Sequence, residues 1–526
     1  MAEPAPTDQL IEDVRKGYAF EGQCLELGAL VHGDTALPDA PVRIPLSVLN
    51  RHGLVAGATG TGKTKTLQLM AEQLSAHGVP VFAPDVKGDL SGLAAPGEPG
   101  DKVLARAAEV GQDWAARSCP VELLALGGAG TGVPVRATIT SFGPTLLSKV
   151  LGLNTTQESS LGLVFHYADQ AGLPLLDLAD LRAVVQHLVS DEGKAELKAL
   201  GGLSAQTAGV ILRELVAFAA QGADAFFGEP ELDVAELLRT TDGGFGVVTL
   251  LELPSVQDRP VLFSTFLVWL LAELFEELPE VGDLGRPKLV FFLDEAHLLF
   301  RDASKAFLAA ITQTVRLIRS KGVGIFFVTQ TPRDLHPDVL AQLGNRVQHA
   351  LRAFTPDDAK ALKATARTFP VSAYDLEEVL TVLGTGEAVV TVLSEDGAPT
   401  PVAWTRLPAP TSLMAPAPPE VLDAIVATSP LQATYGQAVD RDSAYERLAA
   451  RAAAEAPEDA PATVPSPVDE DLARLPEATT VPGGGSVIDK ALANPALRSA
   501  MVAAGTVIGR EIARGVFGTR SRRRRR

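Results

Sequence analysis

The stretch GATGTGKT, residues 57 to 64, constrains this chain more than any other part of it. It follows the apolar run GLVAG at 53 to 57 and precedes KTLQLMAEQLSAHG, whose periodicity is helical, so it reads as strand, loop and helix in succession. Glycines at 57, 60 and 62 let the backbone turn its N–H groups and the helix N-terminus toward phosphate oxygens. In that arrangement Lys63 supplies charge to the β- and γ-phosphates and Thr64 a hydroxyl to Mg²⁺. The candidate nucleotide-binding residues are Gly57, Ala58, Thr59, Gly60, Thr61, Gly62, Lys63, Thr64 and Lys65, with ATP and Mg²⁺ as the expected cofactors. The competing reading is a glycine turn that only starts a helix.

Further apolar runs recur with helical patterns between them: VPVFAPD at 79 to 85, FGVVTLLEL at 245 to 253, KLVFFLDE at 288 to 295 and VGIFFVTQ at 323 to 330. Short continuous runs of this kind predict an α/β fold with a mainly parallel sheet covered on both faces. RVQHALRAF at 346 to 354 and the pair within GEAVVTVLSEDGAPTPVAWTRL at 386 to 407 are read as additional strands, the last two joined by a turn at Glu395, Asp396 and Gly397. The core is therefore expected at 46–94 and 245–410, after a short N-terminal region at 1–45. Residues 95–244 read mainly as a helical insertion, and 411–450 as a helical extension. An Ala/Pro/Glu/Asp-rich linker at 451–486 cannot bury enough apolar surface to order itself. Helical periodicity resumes at 487–526 and ends in TRSRRRRR.

KLVFFLDEAH brings Asp294 to the carboxyl edge of a buried strand, where it can hold Mg²⁺ through water. Glu295 follows directly, and a second carboxylate there can deprotonate an attacking water, which implies hydrolysis rather than transfer to another acceptor. Helix 303–322 places Leu308, Ile311, Val315 and Ile318 on one face, and Thr312, Arg316 and Arg319 on the neighbouring stripe. Cations at a helix C-terminus suit the dipole. They also fit an arginine finger for a neighbouring subunit, with Arg346 as a further candidate. Asp85, Lys87 and Asp89 read as a polar turn. GGAGTG at 127 to 132 precedes a strand-like run and is read as a hairpin turn. His297 reads as structural.

Composition narrows the remaining classes. A net charge of −18 opposes a surface wholly devoted to nucleic acid, without excluding a local basic channel. The two distant cysteines, Cys24 and Cys119, support neither a disulfide framework nor a cysteine metal site, and the expected compartment is the reducing cytoplasm. The N-terminus has no secretory pattern. The longest apolar run, Val261 to Phe275, is interrupted by Glu273 and is too short to span a membrane, so it reads as a buried helix. Eight arginines against one glutamate between Arg510 and Arg526 could contact nucleic acid or anionic lipid, or simply solubilise a tail.

GATGTGKTKTLQ, PVFAPDVKGDLSG, FFLDEAHLLF and FFVTQTPRDL, in this order, resemble the HerA-like branch of the FtsK/HerA P-loop ATPases, and the uncharacterised YjgR-type helicase-HerA-like proteins in particular. The likeness extends from about Ile44 to Leu407. It implies a RecA-like core assembled as a homo-oligomer, a hexameric ring with ATP at subunit boundaries and DNA translocated through its centre. Carried over by position, Lys63 and Thr64 bind phosphate and Mg²⁺, Asp294 assists the metal, Glu295 is the general base and Gln330 senses the γ-phosphate. Arg319 aligns with the trans-acting arginine, and Asp85 and Lys87 match a family-typical turn. An N-terminal β-barrel is expected to be absent, because only some fifty residues precede the loop. Two further functions remain open: an ATP-switched assembly protein acting on protein or membrane partners, and a small-molecule kinase, which Glu295 opposes.

Overall fold

The apolar runs on either side of the phosphate-binding loop pair edge to edge in one sheet of twelve strands. In chain order these are β1 (Cys24–His32), β2 (Thr35–Pro45), β3 (Gly53–Ala56), β4 (Val81–Asp85), β5 (Val121–Leu126), β6 (Val133–Val135), β7 (Val248–Glu252), β8 (Leu289–Leu293), β9 (Val323–Thr329), β10 (Asn345–Gln348), β11 (Glu387–Thr391) and β12 (Ala403–Arg406). The computed structural model describes residues 8–197, 201–282, 284–300 and 305–455. The linker from 456 onward and the expected tail helix lie outside the described residues.

Across the sheet the order is β2, β1, β12, β11, β10, β3, β9, β8, β4, β7, β5, β6. Neighbours from β10 to β6 run parallel. From β10 outward through β11, β12, β1 and β2 they run antiparallel. Parallel neighbours need crossover connections, and helices Lys63–Ala76, Pro260–Glu277 and Lys305–Ile318 supply them after β3, β7 and β8. Because side chains alternate along a strand, each face collects its own core. Leu54, Phe82, Phe291 and Phe327 face helices Pro260–Glu277 and Lys305–Ile318 together with helices of the 139–220 segment. Val55, Val81, Val290 and Phe326 face Leu67, Met70 and Leu74 of helix Lys63–Ala76.

Helix Pro260–Glu277 is buried along most of its length, Trp269 included, as its composition predicts. No helix among the described residues is long and apolar enough to cross a membrane.

Several expectations change. Among the described residues the 95–244 segment holds six α-helices, Asp101–Val110, Ile139–Val150, Thr155–Gln170, Leu178–Val189, Asp191–Leu197 and Ala205–Ala220, but its β5 and β6 extend the core sheet beyond β7. Gly127–Gly132 is not a hairpin: β5 and β6 run parallel, with Leu124 opposite Val133. The N-terminal region also joins the sheet, since β1 and β2 pair with each other and β1 with β12. Phe307 is buried where Leu308 was expected. The strand read at 346–354 ends at Gln348, and the first residues of the expected linker, Arg451–Glu455, complete helix Ala444–Glu455. The turn at Glu395–Gly397 does join β11 to β12, with Ser394 N–H donating to Ala398 O at 2.7 Å.

His52, at the entrance to β3, ties the central strands to a helix. Ile325 N–H donates to its Nδ1 at 3.0 Å, so Nε2 carries the proton and donates to Val315 O at 2.7 Å. Burial pushes the imidazole down to about 4. A histidine that must stay neutral gives stability that is complete above its ordinary value of 6.5 and is lost as pH falls through the folded value. We predict that His52→Gln flattens the pH dependence of unfolding free energy by up to about 1.4 kcal/mol per pH unit between pH 4 and 6.5. Urea unfolding across that range measures it; an unchanged slope refutes the neutral, buried assignment.

Candidate nucleotide-binding and hydrolysis site

The loop after β3 is held by its neighbours on both sides. Gly57 N–H donates to Thr329 O at the end of β9 (3.2 Å), and Ala58 N–H to Ala350 O just beyond β10 (2.8 Å). Gly57, Gly60 and Gly62 have φ of 156°, 79° and 117°, values that favour glycine. At Gly57 a side chain would also collide, its Cβ lying 2.5 Å from His349 Cβ. Helix Lys63–Ala76 begins at Gly62, which offers no side-chain cap, so its first N–H groups are left for an anion. The cradle therefore fits a polyphosphate.

Lys63 Nζ donates to Gly57 O at 2.7 Å and Ala58 O at 3.1 Å, within the loop that it would serve. Burial lowers its pKa, opposed by Asp294 and Glu295. Thr64 stands half-buried in the first helical turn. Lys65 is directed elsewhere: its Nζ donates to Gln68 Oε1 at 3.0 Å, in the field of Asp89 and Asp85. Only its backbone N–H belongs with the loop.

Asp294 and Glu295 leave the end of β8, two strands from β3 with β9 between them. Burial first, and then Glu295, push the Asp294 carboxyl up to about 6. Glu295 has a φ of 48°, a left-handed conformation that costs a non-glycine residue roughly 1–2 kcal/mol. Its N–H donates to Asp294 Oδ1 at 2.9 Å, and its carboxylate meets Lys87 Nζ at 3.1 Å and His297 Nδ1 at 3.5 Å. A hydroxyl, a carboxylate and phosphate oxygens form a hard-oxygen donor set suited to Mg²⁺. No group of three or more His, Cys, Asp or Glu side chains placed to hold a metal occurs among the described residues.

Gln330, one residue past β9, is exposed and lines a recess of about 350 Å³ with His297, Phe300 and Asp334. Its turn is rigid. Thr331 and Asp334 form a capping box around Pro332, and Thr329 Oγ1 donates to Asp334 Oδ2 at 2.7 Å. Arg319 is not in this site. It lies before β9, at the opposite edge of the sheet, and seven strand residues span roughly 20 Å. Arg316 is likewise exposed in the last turn of helix Lys305–Ile318. Arg346 is committed to Thr368 O at 2.8 Å and Leu343 O at 3.3 Å.

Other residues packed around the loop and the strand ends carry no sequence signal. His349 underlies the loop, its Nε2 2.8 Å from Thr66 Oγ1 and its Nδ1 2.9 Å from Glu387 O. Burial pushes it down to about 4. Gly386 N–H donates to Thr61 O at 3.1 Å. Glu252, opposite Asp85 in register, is pushed up to about 8 by burial and by that carboxylate, so it is mostly neutral at pH 7. The Asp85 turn, read as merely polar, braces the edge: Asp85 accepts from the N–H groups of Gly88, Leu90 and Ser91 at 2.8, 2.7 and 3.1 Å.

A family model described as helicase HerA-like C-terminal matches residues 32–526. The chain belongs to this HerA-like family. Two relatives from Methanocaldococcus jannaschii are similar to the HerA-like chain over shorter stretches. A probable helicase is 29% identical over 168 residues, 29% of this chain and 31% of the relative. A probable DNA double-strand break repair helicase HerA is 30% identical over 106 residues, 19% and 20% of the two chains. The HerA-like chain thus spans about a third and a fifth of those relatives. Among solved structures, the bacterial conjugative coupling protein TrwBdeltaN70, in an unbound monoclinic form, aligns with a TM-score of 0.50 and 13% identity, over 77% of this chain and 95% of that one. That likeness is one of fold, and the fold is the RecA-like P-loop NTPase sheet.

Gly57→Ala tests the cradle. The added methyl must displace His349, so we expect a loss of about 1–3 kcal/mol in stability together with weakened ATP binding. Thermal unfolding and titration with a fluorescent ATP analogue measure the two; wild-type values in both refute the close approach.

Proposed function

We propose that this chain is a Mg²⁺-dependent ATP hydrolase working as a hexameric ring that translocates DNA. Membership of the HerA-like family supports ATP hydrolysis as its chemistry. The observation that carries the reading is the convergence of three strand ends. Lys63 lies beyond β3, Gln330 beyond β9, and Asp294 and Glu295 beyond β8, on consecutive strands of one carboxyl edge. In α/β sheets ligands bind at that edge.

In this reading the backbone from Gly57 to Lys65 holds the polyphosphate. Thr64 and Asp294 hold Mg²⁺, which when bound neutralises phosphate charge. Glu295 takes the proton of the attacking water, Lys63 faces the transferring phosphoryl oxygens, and Gln330 registers the γ-phosphate. Arg319 is too far from the site of its own chain, so a role in hydrolysis would have to be at the site of a neighbouring copy, as the ring implied by the family resemblance allows. The DNA-repair description of one relative supports DNA as the track. The net charge of −18 favours the second reading, an ATP-switched assembly protein without a DNA track. Two isolated free cysteines support a cytoplasmic location.

ATP turnover with and without DNA at low salt, beside solution mass, tests the proposal. Turnover that rises with DNA in a hexamer-sized species is expected; an ATPase indifferent to DNA that it does not bind refutes the motor. Glu295→Gln should bind ATP while losing at least about 10²-fold in kcat. Arg319→Ala rings should regain turnover when mixed with Lys63→Ala subunits; mixtures as inactive as either parent refute action in trans.

A further inference from the structure

Lys87 and Glu295 occupy equivalent places on adjacent strands. Each lies two residues past its strand, β4 ending at Asp85 and β8 at Leu293. The register, with Val81 opposite Val290 and Phe82 opposite Phe291, brings the two strand ends together. Pro84 offers no N–H to a ladder, and the pairing of β4 with β8 stops at Phe82, leaving the ends to side-chain contact.

Both side chains are presented by rigid backbone. The turn around Lys87 is clamped by the three N–H groups on Asp85 and closed by Ser91 Oγ donating to Gly88 O at 2.7 Å. Glu295 is held in its left-handed conformation by its own N–H on Asp294, and the next residue is anchored by Ala296 N–H on Val328 O at 3.0 Å. The result engages the whole carboxylate: Lys87 Nζ stands 3.1 Å from Oε1 and His297 Nδ1 3.5 Å from Oε2.

We propose that Lys87 is a positioning residue that restrains Glu295, and that the Lys87–Glu295 pair must open before Glu295 accepts a proton from the attacking water. This rests on the reading of Glu295 as the general base. A carboxylate oxygen taken by an ammonium at 3.1 Å is not free for a water proton. Lys87 is 57% exposed and Glu295 18%, so the pair is weakened by solvent and opens at small cost. The restraint therefore scales the rate by a modest factor.

The test uses the full chain. Lys87→Ala should raise kcat about three- to tenfold and leave the KM for ATP within about twofold. Lys87→Arg, which keeps the cation, should behave as wild type. The Kd of Lys87→Ala for a non-hydrolysable ATP analogue with Mg²⁺ should stay within about twofold of wild type, because the residue holds the base rather than the nucleotide. An unchanged thermal midpoint shows that the turn survives. A fall in kcat, an unchanged kcat or a tenfold weaker analogue Kd overturns the proposal, the last assigning Lys87 to phosphate. Glu295→Gln separates the two readings. If it is inactive while Lys87→Ala shows no gain, only the restraint fails; if it turns over at the wild-type rate, the base assignment fails and the restraint with it.

Discussion

Everything in the site hangs on one buried strand of four residues. β3 is enclosed by β10 and β9, and the loop that follows it donates one N–H to each side, Ala58 to Ala350 and Gly57 to Thr329. Those two bonds fix where helix Lys63–Ala76 starts and therefore where its free N–H groups point. The turn requires glycine at Gly57, because its φ lies in the range that side chains avoid and His349 occupies the space a methyl would need. His349 is in turn held by Thr66 and Glu387, so the loop, its helix and the antiparallel half of the sheet form one unit.

The same edge concentrates acid. Asp85, Glu252, Asp294 and Glu295 emerge from three adjacent strands, and each is handled differently. Three backbone N–H groups satisfy the Asp85 carboxylate against the burial that raises it, and burial pushes Glu252 up to about 8. Asp294 is raised by burial and by its neighbour, and Glu295 is engaged by Lys87. Like charges packed this closely, each with a different burial and a different set of partners, separate the roles of carboxylates that look alike in sequence. The ammonium of Lys63 lies in the field of the Asp294–Glu295 pair, while burial lowers its pKa.

Gln330 shows how a polar end to an apolar strand becomes useful. β9 runs buried for seven residues, and Thr331, Pro332 and Asp334 close it with a capping box that leaves the amide side chain in a recess beside His297. The proline ends the ladder, while Thr329 bound to Asp334 keeps the turn from moving independently of the strand. In the proposed role of Gln330, a change at the γ-phosphate would be felt by a stiff segment rather than a loose one.

Much of this was legible before any coordinates. The five parallel core strands, the glycine loop, the buried helix Pro260–Glu277 and the strand-end placement of Asp294, Glu295 and Gln330 follow from local period and composition. Glycine runs were less informative: Gly127–Gly132 connects parallel strands, because backbone freedom does not specify the direction of the strand that follows. Nor did period reveal that β1, β2, β5 and β6 join one sheet, since a strand's own pattern does not name the strand that it pairs with. By itself the sequence determined which residues could do chemistry, because a phosphate loop and a strand-end carboxylate are written in neighbouring residues. Only the tertiary structure decided which of them meet. Lys87 with Glu295, Glu252 with Asp85, His349 beneath the loop and Arg319 at the far edge all depend on strand order and register, which pair residues remote along the chain.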